Sequence, residues 1–137
     1  MGRIIDKRDY EKRKDLFRLV VICYPDENKI DALSINKPLS KELLEIKPSL
    51  RGMRIKNCLL DIISNHPDVT TIKDIDVMFN PDFKIDVLRI LIEANKQRSF
   101  SLIWPGKCKD GRLYYSEESL PDYSVFEIND YDIYCVK

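Results

Sequence analysis

The sequence predicts an α/β fold: a three-layer domain around a mixed sheet, with antiparallel strands toward the C-terminus. Three observations predict it. The run Leu16-Phe17-Arg18-Leu19-Val20-Val21-Ile22-Cys23 is almost unbroken in apolar, often β-branched residues, as a strand buried on both faces would be. Beyond it, strand-like and helix-periodic segments alternate as far as Trp104. The last part of the chain is aromatic and strand-like, punctuated by Pro105-Gly106 and Asp110-Gly111. At 137 residues the chain is expected to form one domain, 1–137, able to fold without disulfides or metal.

Each element has its own basis. Residues 4–16 read as a short helix, the core of a charged N-terminal segment 1–16. In it Lys7, Arg8, Lys12, Arg13 and Lys14 interleave with Asp6, Asp9, Glu11 and Asp15. The first strand, 17–23, has no polar face to give to water and is expected in the middle of the sheet. Tyr24-Pro25-Asp26-Glu27-Asn28 ends it, and residues 31–36 form a short second strand. A helix opens at Leu39 and stops before Pro48. From Leu50 to Asn65, Ile55, Cys58, Leu59, Ile62 and Ile63 fall at helical spacing. Strand character returns at Val69–Ile72 and is prolonged by Ile75, Val77 and Phe79 alternating with Asp74, Asp76 and Met78. After the turn Asn80-Pro81-Asp82, Ile85, Leu88, Leu91 and Ile92 mark a helix that ends near Asn95. Ser99–Trp104 is a strand, expected to pair antiparallel with Arg112–Tyr115 across residues 105–111. Tyr123–Ile128 and Tyr131–Val136 are the last strands.

Composition narrows the function. Lys plus Arg and Asp plus Glu both number 23, so no protein-wide basic footprint for nucleic acid exists. No apolar stretch reaches the ~20 residues of a membrane span, and the charged start has no signal-peptide core. A cytoplasmic protein without membrane contact is expected. The four cysteines form no CxxC pair, which argues against zinc; Cys23, Cys58 and Cys135, among apolar neighbours, read as buried reduced thiols. The one histidine, His66, sits before a proline and reads as loop.

A buried strand followed by a turn and a lysine invites comparison with a phosphate-binding loop, GxxxxGK[ST]. In the window 23–30 Lys29 fills its position, but both glycines are absent and Ile30 replaces the hydroxyl. Asp26 and Glu27 place negative charge where phosphates would lie. Downstream, Met78-Phe79, the segment Asp86-Val87-Leu88-Arg89-Ile90-Leu91, the turn Asn95-Lys96-Gln97-Arg98, Trp104-Pro105-Gly106, Tyr115-Ser116 and Leu120-Pro121-Asp122-Tyr123 follow in order. Upstream stands Ile35-Asn36-Lys37-Pro38-Leu39-Ser40. Over residues 17–126 this series resembles BrxF, the small P-loop ATPases of type-3 bacteriophage exclusion (BREX) systems. The resemblance implies a P-loop-like fold, a nucleotide site and partners within a defence complex.

The chain departs from that family's pattern at its chemistry. Lys73 stands where the Walker B aspartate would be, with Asp76 three residues later. Twelve residues, 25–36, span the connection from the first strand through the second, where a helical crossover normally takes a dozen before the next strand begins. Lys29, Asp74, Asp76 and Arg98 therefore read as a vestigial nucleotide site. Asp74 and Asp76, two apart on the expected strand, would share a face; such pairs hold magnesium or perform acid–base work, and also occur simply as a polar strand edge. Trp104 with Lys107, Lys109 and Arg112 reads as an interaction surface, or as hairpin packing. The expected function is a non-catalytic interaction or regulatory subunit of a BREX-like complex, without a cofactor and with other proteins or further copies of itself as partners. Two alternatives remain: an ATPase binding Mg·ATP through Lys29 and Asp76, and a nucleic-acid-binding module built on the 107–112 hairpin. The acidic tail and the basic residues of the N-terminal helix are the expected partner-facing surfaces.

Overall fold

The computed structural model describes residues 2–12, 18–24 and 30–137 and places nine strands in two separate sheets. Along the chain run β1 (Arg3–Ile5), α1 (Lys7–Lys12), β2 (Leu19–Ile22), β3 (Leu33–Ser34), α2 (Asn36–Leu44), α3 (Arg51–Ser64), β4 (Thr71–Lys73), α4 (Val87–Gln97) and β5 (Ser101–Ile103). There follow β6 (Lys107–Lys109), β7 (Arg112–Tyr115), β8 (Ser124–Glu127) and β9 (Ile133–Val136). Six strands form a sheet in the order β1-β9-β2-β5-β4-β3, and every pairing in it is parallel. The remaining three form an antiparallel sheet, β6-β7-β8. The expected single mixed sheet is thus corrected to two sheets, one of each kind.

β2 is interior, flanked by β9 and β5, and all four of its residues are buried. Its odd face, Leu19 and Val21, joins Ile72, Leu102, Ile133 and Cys135 beneath the apolar sides of α2, α3 and α4. Its other face, Val20 and Ile22, meets Ile103 and Val136 in a smaller cluster closed by Ile5, Tyr10 of α1 and Tyr24. The layers are therefore unequal: three helices cover one face, and α1 contributes to the other. On that second face the register brings Ser34, Lys73, Thr71 and Ser101 into line, so it turns polar toward β3.

Three expected elements differ, each for a physical reason. Residues 3–5, expected in the N-terminal helix, form an edge strand. Their partner is the other end of the chain, through β9 and the bonds Lys137 N–H to Ile5 O and Lys7 N–H to Lys137 O. The strand at 71–73 stops where Asp74 takes a positive φ of 53°. Residues 76–79 then wind into a 3₁₀ turn that buries Ile75, Met78 and Phe79, so Asp74 and Asp76 share no strand face. Finally, Arg112–Tyr115 pairs with Lys107–Lys109 and not with Ser99–Trp104. Asp110 and Gly111 both have positive φ, 53° and 76°, which is the two-residue turn matched to a twisted hairpin. That tight turn captures the nearest strand and leaves β5 to the parallel sheet.

An aromatic seam joins the two sheets. Phe79 stacks on Tyr115 at 3.7 Å, and Trp104 and Phe126 meet edge to face at 5.8 Å. Trp104 Nε1 donates to Tyr114 O at 2.9 Å. Gly106 lets the chain turn between the sheets, because a Cβ there would lie 1.9 Å from Tyr114 O.

Candidate functional site

An open parallel sheet receives ligands beyond the carboxyl ends of its strands, where successive connections leave in opposite directions. Here β2 connects toward the β3 edge and β5 connects back toward β9, so the reversal lies between β2 and β5. Their ends carry Cys23-Tyr24 and Trp104-Pro105-Gly106, and the neighbouring end of β4 carries Asp74 and Asp76. Lys29, with Asp26 and Glu27, lies outside the described residues.

The carboxylates at the β4 end serve as ties. Asp74 Oδ2 accepts from Ser34 Oγ at 2.7 Å, linking β4 to its neighbour β3. Asp76 Oδ1 accepts from Asn36 Nδ2 at 3.1 Å, and Oδ2 accepts from the Tyr115 hydroxyl at 2.9 Å. Asn36 in turn accepts the Val77 N–H at 2.8 Å. One aspartate thus binds the first turn of α2, the 3₁₀ turn and β7 together. Burial, and then the bond to Asp76, push the Tyr115 phenol above its ordinary value. A magnesium ion at Asp76 would compete with Asn36 and Tyr115 for the same oxygens.

Arg98 stands elsewhere. It follows α4 and precedes β5, at the amino ends of the strands, with the length of the sheet between it and Asp76. Its Nη2 donates to the carbonyls of His66, Pro67 and Val69 at 3.3, 3.0 and 3.1 Å, holding the connection into β4. The fold therefore brings Asp74 and Asp76 to one end of the sheet and Arg98 to the other.

The expected interaction surface divides. Trp104 is 4% exposed and belongs to the seam, so as a surface residue it is corrected to a core residue. Lys107, Lys109 and Arg112 are exposed, and the hairpin register puts them on one face with Tyr114. Arg112 is ion-paired with Glu127 on the adjacent strand.

Two features left no trace in the sequence. Cys23, Cys108 and Cys135, far apart in the chain, meet beside the end of β2. A hydrogen bond with Cys135, followed by burial, pushes the Cys23 thiol far up; burial first, and then Cys23, push Cys108 up to about 11. Such thiols stay protonated and unreactive, and all four cysteines are free. No group of side chains arranged to hold a metal occurs among the described residues. The second feature is a cavity of about 390 Å³ between the 3₁₀ turns at 76–79 and Pro81–Phe83 and the antiparallel sheet, with Met78, Phe79 and Phe126 among its lining and Lys84 and Tyr123 beside them. On its wall Asp86 caps α4 at Arg89 N and accepts the Tyr131 hydroxyl at 2.7 Å. Its volume lies within the range of small-molecule sites.

These contacts show a pattern at the strand ends. Cys108 of β6 meets Cys23 beyond β2, Tyr114 of β7 accepts from Trp104 beyond β5, and Tyr115 of β7 holds Asp76 beyond β4. Each of these strand ends is in contact with the antiparallel sheet. Among the described residues no helix is long and apolar enough to cross a membrane. No family model, curated protein or solved structure matches the chain.

Proposed function

We propose that this chain is a non-catalytic interaction subunit of a BREX-like defence complex, a P-loop-derived fold that presents surfaces and not a reaction centre. The observation that carries the reading is the capping of the β5 and β4 ends by Tyr114 and Tyr115. Where an open α/β sheet offers a crevice to a ligand, this chain places its own second sheet. Asp76 is spent as a tie within that arrangement, and Lys73 stands where the resemblance calls for an acid. Isothermal titration with Mg·ATP tests the reading and is expected to give no saturable heat. A low-micromolar Kd abolished by Lys29→Ala would overturn it in favour of the ATPase. A second reading, nucleic-acid binding, is favoured by the one-face placement of Lys107, Lys109, Arg112 and Tyr114. It requires a complex with DNA or RNA that weakens steeply with salt and is lost in Lys107→Glu/Lys109→Glu.

A further inference from the structure

Among the described residues six large hydrophobic side chains are exposed, and four of them fall in two short stretches. The first is the corner between α2 and α3, from which Leu44, Leu50 and Met53 project, Leu44 and Met53 at 73% and 79% exposure. This corner is held rigid by Arg51, whose Nε donates to Leu43 O at 2.8 Å and Ile46 O at 3.1 Å. The exposed charges along α2 and into the first turn of α3 are Lys37, Lys41, Lys47 and Arg54 against Glu45, with the half-buried Glu42 and, further along α3, the exposed Asp61 as further acids. The second stretch is the connection from β7 into β8, where Leu120 is exposed between the acids Glu117, Glu118 and Asp122; the exposed Val125 belongs to β8 itself, opposite Tyr114 on the hairpin face. The connection too is pre-formed: Leu120 N–H bonds Glu117 O at 2.8 Å, Tyr123 N–H bonds Leu120 O at 3.2 Å, and Ser116 Oγ donates to Asp122 Oδ1 at 2.7 Å.

We propose that the acidic 117–123 segment of one copy docks on the basic α2–α3 corner of a second copy. The two surfaces are opposite in charge, both carry unburied apolar side chains, and both are ordered before they meet, so docking costs little conformational entropy. With a formal net charge of zero, copies of the chain have no overall repulsion to overcome. Because the two patches differ, the contact is heterologous: each copy keeps one donor and one acceptor face, and assembly proceeds head to tail into a ring or an open row. This goes beyond the subunit reading and is independent of nucleotide.

Sedimentation of the full chain over a concentration series tests it. Species larger than a dimer are expected to grow with concentration, with the Kd weakening about tenfold as salt rises from about 0.05 to 0.5 M. Met53→Glu and Leu120→Lys, both at exposed positions, should each give a monomer with unchanged melting. Mixed one to one, they should form a dimer that grows no further, since the acidic segment of the first fits the intact corner of the second. A wild-type chain that stays monomeric to about 1 mM, association indifferent to either substitution, or no dimer in the mixture would each overturn the proposal.

Discussion

Tyr115→Phe removes one hydroxyl and little else. The ring stays stacked on Phe79 at 3.7 Å, so no cavity forms, and the bond lost is the one to Asp76 at 2.9 Å. A hydrogen bond to a charged partner contributes roughly 1.5–3 kcal/mol. Tyr115 is 7% exposed, but Asp76 is open to water and can recover part of its solvation, so the lower end applies, about 1.5 kcal/mol. For a domain of this size that corresponds to a melting point lower by about 5 °C. The pairing also sets a pH signature. The phenol's pKa is raised in the folded chain above the ordinary 10 of the unfolded one. Its contribution is therefore complete below pH ~10 and lost as pH rises further, because the unfolded tyrosine ionises first. Urea melts at pH 7 and through the alkaline range should show the wild type losing stability above pH ~10 more steeply than the variant. A double-mutant cycle with Asp76→Ala should return a coupling of about 1 kcal/mol. If Tyr115→Phe and Asp76→Ala each melt within about 1 °C of wild type, Asp76 is no structural tie and the argument against a reaction centre loses its main support.

Three further substitutions probe the same frame. Gly106→Ala and Gly111→Ala should both destabilise in thermal melts, for different reasons: the first meets Tyr114 O at 1.9 Å and should cost about 1–3 kcal/mol through a forced backbone shift, whereas the second has open space but a φ of +76° and should cost about 1 kcal/mol. Glu42→Gln should stabilise at neutral pH by about 1–2 °C. Glu42 Oε2 is buried without a partner, and burial, then Asp61 and Glu45, raise the acid's pKa. A raised folded value means the charge costs stability at pH 7 and ceases to do so as pH falls toward the ordinary 4.5, so melts from pH 7 down to about 4 should show the two proteins converging.

What the sequence makes legible is whatever depends on neighbours in the chain. β2 declares itself through its unbroken apolar run, and α3 and α4 through the periodicity of Ile55, Leu59 and Ile62 and of Leu88 and Leu91. What escapes depends on residues far away. β1 is a strand because β9 lies beside it, and nothing near Arg3 announces that. The alternation Ile75, Val77, Phe79 imitates a strand, yet the burial of Met78 and the positive φ of Asp74 show a turn in its place. Asp76 was visible as an acid, but its roles come from Asn36 and Tyr115, some 40 residues away on either side. The meeting of Cys23, Cys108 and Cys135 has no local signal at all.

The position of the antiparallel sheet connects these observations. Between β5 and β9 the chain makes a detour through β6, β7 and β8 before returning to pair in parallel with β2. Nothing in a parallel sheet requires such a detour, and its effect is to carry an aromatic surface over the strand ends. Phe79, Trp104, Tyr115 and Phe126 come from the parallel sheet's own connections and from the detour, and they interlock at ring separations of 3.7 to 6.3 Å. Aromatic contacts of this kind contribute roughly 0.5–1.5 kcal/mol each beyond burial. The seam therefore gives the strand-end region stabilising contacts in place of the openness a binding crevice needs. Sites built for catalysis tend to leave polar groups strained or unpaired until a ligand arrives. Here Asp76, Asn36, Tyr115 and the Trp104 indole are all paired within the chain. The buried atoms left without a partner, Glu42 Oε2 and Arg98 Nη1, lie away from these strand ends, and the exposed apolar side chains Leu44, Met53 and Leu120 offer surface for recognition instead.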